Sequence, residues 1–230
     1  MTRTVRVLTW NVHRAIGMDG VCDFSRVVDH VAAADADIVA LQEVEGRNRG
    51  AKSPPMRILQ DRLGHEAVQA ASISAPDGKY GQVLLCRWPL RGVQTLDLSF
   101  GRWEPRRAIS ALATTPIGEV RIIATHLGLR FGERSRQVAA LCASIDDAHP
   151  TILMGDFNDW FRYRSVQQAL EQWFPSRTVL RTFPARAPVL ALDRIYCRPM
   201  GMLSRAWTVR SKPLLSDHLP LLAELRGAER

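Results

Sequence analysis

The stretch Leu153-Met154-Gly155-Asp156-Phe157-Asn158 joins an apolar run to a cluster of short polar side chains. Thr151–Gly155 has the length and hydrophobicity of a buried β-strand, and the polar residues follow where that strand ends. The same order, an apolar run and then polar groups, occurs five more times along the chain. These stretches are Leu8-Thr9-Trp10-Asn11-Val12-His13, Val39-Ala40-Leu41-Gln42-Glu43-Val44, Ile122-Ile123-Ala124-Thr125-His126-Leu127, Leu192-Asp193-Arg194-Ile195-Tyr196 and Leu215-Ser216-Asp217-His218-Leu219-Pro220.

Polar groups at strand ends indicate a binding crevice, because ligands of α/β folds bind at the carboxyl ends of strands. Singly, each has a structural explanation: His126 could be a hydrogen-bonded core residue, and Asp156 could cap the turn that follows it. Burying all of them together is tolerable only if they pair with one another, a metal or an anion. Carboxylates favour Mg²⁺ or Mn²⁺, and the absence of cysteine from the set argues against a structural zinc site. The crevice is expected to contain Asn11, Glu43, His126, Asp156, Asn158, Asp193, Asp217 and His218.

Strand-like runs alternate with helical patterns throughout the chain. We expect helices over Phe24–Ala34 with Asp23 as the N-cap, from Pro54-Pro55 to Gly64, over Glu133–Ile145 and over Ser165–Phe174. The hairpin-like turn Pro116-Ile117-Gly118-Glu119 argues against a purely parallel sheet. The pattern predicts one domain over residues 1–230, of α/β or α+β type with mixed sheets. The predicted strands are Val5–Trp10, Ile38–Leu41, Gly81–Cys86, Val93–Leu98, Ala108–Thr114, Val120–Thr125, Thr151–Gly155, Leu192–Tyr196 and Leu221–Leu225.

Composition limits the class of protein. The 230 residues are 46% hydrophobic, which excludes a disordered or collagen-like chain. The net charge of +8 indicates an anionic partner, but almost all the basic residues are arginines, a bias that the base composition of the source genome can also produce. The four cysteines form no close pair, so neither a zinc site nor a disulfide framework is expected. With no secretory signal and no apolar run of about 20 residues, the chain is predicted to be cytoplasmic.

The six motifs, in this order and spacing, resemble those of the endonuclease/exonuclease/phosphatase superfamily. These Mg²⁺-dependent phosphodiesterases include DNase I-like nucleases, abasic-site endonucleases, sphingomyelinases and inositol-phosphate 5-phosphatases. The resemblance covers the chain from Thr9 to Pro220. It implies a four-layer DNase I-like sandwich, in which two mixed β-sheets pack face to face, helices flank them and the site lies at one edge. It also implies a monomer and in-line attack of water on phosphorus.

The resemblance implies a metal site and a set of catalytic groups. Glu43 would be the principal ligand of Mg²⁺, with Mn²⁺ as a possible substitute; Asn11 would assist, directly or through water, and Asp217 would support the ion. Asp156 would orient or deprotonate the attacking water, and Asn158 would donate to the phosphoryl oxygens. His218 would contact the phosphate or exchange a proton, oriented by Asp193. His126 would be a phosphate ligand or the acid for the leaving group.

Three positions depart from the family pattern or extend it. His13 stands where some family nucleases carry an aspartate, so a metal-ligand role is doubtful there, but its side chain could still reach phosphate. Lys79-Tyr80-Gly81-Gln82 resembles a Tyr-Gly-Asn element with Gln82 in place of asparagine. Glu104-Pro105-Arg106-Arg107-Ala108 resembles an element whose arginine faces the site; we favour Arg107 over Arg106 as a substrate contact, the alternative being a solvated pair.

The substrate remains open among three interpretations. The first, which we place foremost, is a nuclease that holds the DNA or RNA backbone with arginines near the motif loops. These are Arg14, Arg130, Arg134, Arg162 and Arg164. The second is a hydrolase of phospholipid head groups or small phosphate esters, which would carry an exposed apolar loop near the site. Trp103 and Trp160-Phe161 are candidates for such a loop or for base stacking, the alternative being ordinary core packing. The third is a binding module on an inactive enzyme fold, which the intact motif set disfavours.

Overall fold

The computed structural model describes residues 3–47, 54–146, 148–160 and 166–227. In this part of the chain, twelve strands form two six-stranded sheets. The first sheet has the order β11-β12-β1-β2-β4-β3 and the second β5-β6-β7-β8-β10-β9. The strands are β1 Thr4–Asn11, β2 Ile38–Glu45, β3 Glu66–Ala75, β4 Gly78–Cys86, β5 Leu90–Asp97, β6 Arg107–Thr115, β7 Gly118–His126, β8 Thr151–Asp156, β9 Ser176–Arg177, β10 Asp193–Arg198, β11 Leu203–Thr208 and β12 Leu221–Arg226.

Four helices flank the sheets: α1 Phe24–Ala34, α2 Pro55–Leu63, α3 Phe131–Ala143 and α4 Val166–Glu171. The first begins where the Asp23 side chain accepts a hydrogen bond from the Ser25 amide, which satisfies one of the free N–H groups of the first turn. The second has proline in its first turn and ends at Gly64, which adopts a left-handed conformation (φ +62°). These helix starts and ends confirm the local signals predicted for α1 and α2.

Both sheets are mixed, as predicted. In the first sheet, β1 pairs parallel with β2 and antiparallel with β12. In the second, β7 pairs parallel with β8 and antiparallel with β6 across the predicted hairpin turn. Asn11, Glu43, His126 and Asp156 lie at or near the carboxyl ends of β1, β2, β7 and β8, respectively.

The hydrophobic core has three layers, which give the predicted four-layer sandwich. The middle layer lies between the two sheets and contains Val7, Ala40, Ile109, Ile122 and Met154. A second layer packs α1 and α2 on the outer face of the first sheet, and a third packs α3 and α4 on the outer face of the second. Successive side chains of a strand point to opposite faces, so each buried strand contributes to two layers, which explains its nearly continuous apolar sequence.

The sequence analysis missed three strands: β3, β9 and β11. Each lies at an edge of its sheet and is only partly buried, so it lacks the apolar run that marks the central strands. The predicted helix Ser165–Phe174 corresponds to α4, but Ser165 lies outside the described residues. No helix in the described ranges is both long and apolar enough to cross a membrane.

Candidate active site

Three strands of the second sheet bring His126, Asp156 and Asp193 into one row. In the parallel pairing of β7 with β8, His126 is the partner of Asp156. In the antiparallel pairing of β8 with β10, Asp156 is the partner of Asp193. Directly paired residues point to the same face of a sheet, and here that face is turned towards the first sheet. All three side chains are buried.

Asn11, at the end of β1, connects the first sheet to this row. Its Nδ2 lies 3.0 Å from Oε1 of Glu43 and 3.0 Å from Oδ2 of Asp156. Its Oδ1 accepts a hydrogen bond from the backbone N–H of His13, so the amide nitrogen is directed at the two carboxylates. One neutral side chain thus holds two carboxylate oxygens at most about 6 Å apart, since both lie 3.0 Å from the same nitrogen.

Glu43 reaches this position through an irregularity in β2. The register between β2 and β4 shifts between Leu41 and Val44, which is a β-bulge. Within the bulge, Glu43 has φ +59°, a left-handed conformation that is costly for a residue with a Cβ atom. Bulges redirect individual side chains, and this one brings the Glu43 carboxylate to Asn11.

His218 is held on three sides. Its Nδ1 donates a hydrogen bond to Oδ2 of Asp193 at 2.7 Å, and its backbone carbonyl accepts one from the Trp10 indole at 3.0 Å. The hydroxyl of Ser216 accepts a hydrogen bond from the His218 backbone N–H and donates one to the backbone oxygen of Asn11. The other ring nitrogen, Nε2, lies 3.8 Å from Oδ2 of Asp156. The imidazole is therefore fixed with Nε2 directed at the carboxylate row.

Burial and charge determine the protonation of this group. Burial alone would lower the pKa of His218, but the carboxylates of Asp193 and Asp156 outweigh it and raise the pKa to about 10. Burial raises the pKa of Asp156 to about 6, against the opposing effects of the charged His218 and the Asn11 hydrogen bond. At neutral pH, His218 is therefore an imidazolium and Asp156 is a carboxylate more basic than an exposed one.

His126 lies on the other side of Asp156, with Nε2 3.6 Å from Oδ2. Burial lowers the pKa of His126 well below its usual range, and the positive charges of Arg106 and His218 lower it further, so this imidazole is neutral. Asn158 Nδ2 lies 3.2 Å from His126 Nε2 and donates to the backbone oxygen of Leu127 at 2.9 Å. Asn158 has φ +50°, and its backbone N–H donates to Asp156 Oδ1. One neutral and one positively charged histidine therefore flank the Asp156 carboxylate.

His13 and Asp217 lie next to this group. His13 Nδ1 is 3.4 Å from Asp217 Oδ1, and both side chains are partly exposed. His13, Arg14 and Ala15 all have positive φ, between 45° and 60°. Together with Glu43 and Asn158, they account for five of the six non-glycine residues with positive φ in the described ranges. Backbone strain in this protein is thus concentrated where the polar motifs meet.

Arg107 lines a small cavity at the same edge of the sandwich, with Glu43, Tyr80, Gln82 and His126. Gln82 donates a hydrogen bond to the Arg107 backbone oxygen, which ties β4 of the first sheet to β6 of the second. Arg106 is buried beside Glu104, and its charge acts on His126. Both arginines therefore lie near the site, and Arg107 is the one whose side chain, 34% exposed, remains accessible.

The other basic residues of the nuclease interpretation lie in different environments. Arg130 is exposed at the start of α3, with its guanidinium 3.8 Å from the centre of the Trp103 ring. Arg134 is 2% exposed and donates to the backbone oxygens of Gly128 and Leu129, so it braces a loop. Arg14 lies over the Tyr80 ring at 5.3 Å. Arg162 and Arg164 lie outside the described residues.

Trp10 and Ser216 are parts of the site to which the sequence analysis assigned no role. Both lie inside the quoted motifs, but their contribution is made through backbone atoms of Asn11 and His218. The periodicity of β1 marks Trp10 as a core residue, and it is indeed buried; only the folded chain shows where its N–H is directed. The amino-acid type of Trp10 or Ser216 does not reveal which backbone atoms its side chain binds in the folded chain.

A match to a family model agrees with this geometry. Residues 8–218 match the model of the endonuclease/exonuclease/phosphatase family. That span begins in β1 and ends at His218, so it includes all the grouped side chains described above.

Individual proteins resemble the chain in sequence or in fold. The chain is 30% identical to the uncharacterized protein YbhP of Escherichia coli over 254 residues, covering 96% of this chain and 95% of YbhP. The fold of the present chain is similar to that of an endonuclease/exonuclease/phosphatase from Bacteroides vulgatus (TM-score 0.80, 19% identity, covering 98% of this chain and 100% of that one). It is also similar to the catalytic domain of human Nocturnin with a bound sulfate anion (TM-score 0.73, 20% identity, 98% and 94%). On the family match and the agreement in fold, the chain belongs to the endonuclease/exonuclease/phosphatase family.

Proposed function

We propose that this protein is a divalent-metal-dependent phosphodiester hydrolase whose site is the group around Asn11, Asp156 and His218. Members of the family are generally hydrolytic phosphoesterases. The observation that carries the proposal is the position of Asn11 Nδ2, 3.0 Å from the carboxylates of both Glu43 and Asp156. Two carboxylates gathered next to an imidazolium and a neutral imidazole supply a proton acceptor, a proton donor and a cation site within one cluster of side chains.

The donor set fits a hard divalent cation. Glu43, Asp156 and Asp193 carry three negative charges against the single positive charge of the His218 imidazolium, so these side chains repel one another unless further positive charge is added. Carboxylate oxygens are the ligands that Mg²⁺ and Mn²⁺ prefer. Glu43 would hold the ion, assisted by Asn11 and supported by Asp217. When bound, the ion would supply neutralisation of the negative charge that develops on the phosphoryl oxygens.

The proton transfers follow from the two shifted pKa values. Asp156, made more basic by burial, accepts a proton from the attacking water while the water oxygen forms a bond to phosphorus. The bond from phosphorus to the leaving oxygen breaks on the opposite side, and the imidazolium of His218 supplies a proton to that oxygen. Asp193 holds His218 in the orientation and charge state that this requires. Neutral His126 and Asn158 would contact the phosphoryl oxygens, and Arg107 would contact the substrate from the adjoining cavity.

A nucleic-acid substrate, the first class favoured by the sequence, stays a prediction. The accessible Arg107 and the positive net charge support it. Arg134, in contrast, is buried under its own loop.

A second candidate substrate is the phosphodiester of a phospholipid head group. A specific observation favours it: Trp103 and Trp160 are 42% and 37% exposed, and Leu129, shortly after His126, and Phe131, the first residue of α3, are 58% and 44% exposed. Apolar side chains beside a phosphate-binding crevice suit a substrate at a lipid surface.

The test uses one chemically simple substrate and a panel. The purified protein is assayed with Mg²⁺ and with EDTA on bis-p-nitrophenyl phosphate, plasmid DNA, single-stranded DNA, RNA and phospholipid vesicles. Glu43→Gln and Asp156→Asn are each expected to lower Mg²⁺-dependent hydrolysis by at least about a hundredfold. The matched controls Glu119→Gln and Asp29→Asn remove exposed carboxylates at other positions and should retain activity. Turnover that persists in EDTA, or in Glu43→Gln at the wild-type rate, would refute the proposal.

A further inference from the structure

Four large apolar side chains are exposed on one part of the surface: Trp103, Leu129, Phe131 and Trp160. We call them the rim patch. Their exposed fractions are 42%, 58%, 44% and 37%. Single exposed apolar residues are normal on a protein surface, but a group of large ones usually marks an interaction site.

The rim patch borders the candidate active site. Leu129 follows His126 by three residues, so their Cα atoms are at most about 11 Å apart. Trp160 follows Asn158 by two residues. The two loops are tied together, because Asn158 Nδ2 donates to the Leu127 backbone oxygen at 2.9 Å. The Arg134 guanidinium, which holds the first loop, also lies 5.1 Å from the Trp160 ring centre.

The loop that carries Leu129 and leads into α3 at Phe131 is held in place by buried polar side chains. Gln137 Oε1 accepts a hydrogen bond from the Gly128 N–H at 2.8 Å, and Arg134 donates to the Leu129 backbone oxygen at 2.6 Å. Both are almost fully buried, as is Glu133 beside them. Burying charged groups is costly, so this support is a built feature of the fold. It fixes the loop in a form that keeps Leu129 and Phe131 in solvent.

Cationic side chains accompany the apolar ones. Arg102, Arg130 and Arg136 are all exposed. Arg130 lies over Trp103 at 3.8 Å and Arg136 over Phe100 at 4.8 Å, so their charges are held against the aromatic rings. The neighbouring Glu104 is paired with Arg106. The surface is thus both apolar and positively charged.

We propose that the rim patch docks the protein on a bilayer that contains anionic phospholipid, with the candidate active site facing the head groups. Arginine beside tryptophan, phenylalanine and leucine is the composition of interfacial membrane-binding surfaces. Nucleic acid fits less well: Leu129, the most exposed member, has no ring to stack on a base, and guanidinium groups already lie against Trp103 and Trp160. Docking itself depends only on this surface; that it delivers substrate rests on the proposed function.

The experiment measures flotation of the purified full chain with vesicles of phosphatidylcholine, with and without phosphatidylglycerol. We expect binding to the mixed vesicles, weaker binding to phosphatidylcholine alone, and a blue shift of tryptophan fluorescence on binding. Leu129→Ser/Phe131→Ser should weaken binding by at least about tenfold, because it removes two side chains that enter the interface. Arg130→Gln should weaken binding to the mixed vesicles by about fivefold.

Matched controls separate this surface from general hydrophobicity. Val93→Ser/Met200→Ser also removes two exposed apolar side chains, 42% and 72% exposed, and should bind as the wild type does. Hydrolysis of soluble bis-p-nitrophenyl phosphate, and the unfolding midpoint, should be unchanged in Leu129→Ser/Phe131→Ser. That soluble assay tests the catalytic proposal independently of docking.

Two outcomes would overturn the docking proposal. The first is equal vesicle binding by the wild type and Leu129→Ser/Phe131→Ser, or no binding by either. The second is single-stranded DNA binding that Leu129→Ser/Phe131→Ser abolishes in a protein that does not bind vesicles, which would make the rim patch a nucleic-acid surface. If the wild type does not hydrolyse bis-p-nitrophenyl phosphate, the catalytic proposal is refuted and the docking proposal is unaffected.

Discussion

His218 Nδ1 lies 2.7 Å from Asp193 Oδ2, and both side chains are buried, Asp193 at the start of β10 and His218 in the segment that precedes β12. Asp193 and the nearby Asp156 overcome the opposing effect of burial, so the folded protein holds His218 as an imidazolium, with a pKa near 10 against 6.5 in an exposed histidine. This pair couples the stability of the fold to the charge of the candidate catalytic group.

Stability in EDTA is expected to fall as pH rises from 6.5 to about 8.5. Over this range the folded state binds a proton on His218 that the unfolded chain releases, so the contribution is complete below pH 6.5 and declines above it. The decline approaches about 1.4 kcal/mol per pH unit. Urea titrations at several pH values measure it. Asp193→Asn lowers the His218 pKa and should flatten the decline; an equal slope in both proteins would contradict the assigned pairing.

Asn11→Asp should make stability depend more strongly on metal. The substitution places a third carboxylate between those of Glu43 and Asp156, so we expect the free energy of unfolding in EDTA to fall by about 1–3 kcal/mol. Added Mg²⁺ should restore more stability in Asn11→Asp than in the wild type, because binding to the folded state alone stabilises it. Urea unfolding with EDTA and with Mg²⁺ gives both values. The same Mg²⁺ increment in the two proteins would mean that Asn11 does not lie next to the ion.

Gly155→Ala should be among the most destabilising small substitutions in the chain. A Cβ atom at this position would lie 1.9 Å from the backbone oxygen of Thr125 in the paired strand, and Gly155 has φ +153°. Relieving this overlap requires separating β7 from β8, at a cost of at least about 3 kcal/mol. Gly201→Ala is the control: φ is +85° there, but no atom lies within 4 Å of the added Cβ, so a loss of about 1 kcal/mol is expected. Comparable thermal unfolding of the two variants would contradict the tight approach of the strands.

Arg107→Ala should raise KM by about tenfold or more for a soluble phosphodiester, with a smaller effect on kcat. The side chain lines the cavity beside Glu43 and His126 but lies outside the row that exchanges protons. Steady-state kinetics on bis-p-nitrophenyl phosphate separate the two parameters. Arg91→Ala removes an exposed arginine from the end of β5 that lies away from Arg107 and should leave KM and kcat unchanged. An unaltered KM in Arg107→Ala would contradict a substrate contact by Arg107 and would leave the neighbouring Arg106 as the candidate for that contact.

Much of the fold could be predicted from local sequence signals. The cap at Asp23, the prolines at the start of α2 and the left-handed Gly64 each act within one turn, so the sequence alone predicts where these helices begin and end. Edge strand β3 was missed because its half-exposed, alanine- and serine-rich sequence has no apolar run, and it becomes a strand only by pairing with β4.

The candidate site was predictable in membership but not in arrangement. The motifs point to Glu43, Asp156 and His218 because short polar groups adjoin an apolar run in each, although the structure places Glu43 within β2 and His218 before β12. No local pattern shows that β2 bulges at Glu43, or that the Asn11 amide nitrogen bridges two carboxylates from different sheets. These features depend on how the two sheets pack, which involves residues more than a hundred positions apart.

The row formed by His126, Asp156 and Asp193 has a further consequence for how this protein can be monitored as it folds. A slip of β8 by a single residue against its neighbours would turn Asp156 to the helix side and place Gly155 in the row. A chain with the correct secondary structure but the wrong strand alignment would then be inactive. Hydrolysis of a soluble ester would therefore serve as a reporter of correct strand alignment during refolding, sensitive to an error that circular dichroism does not detect.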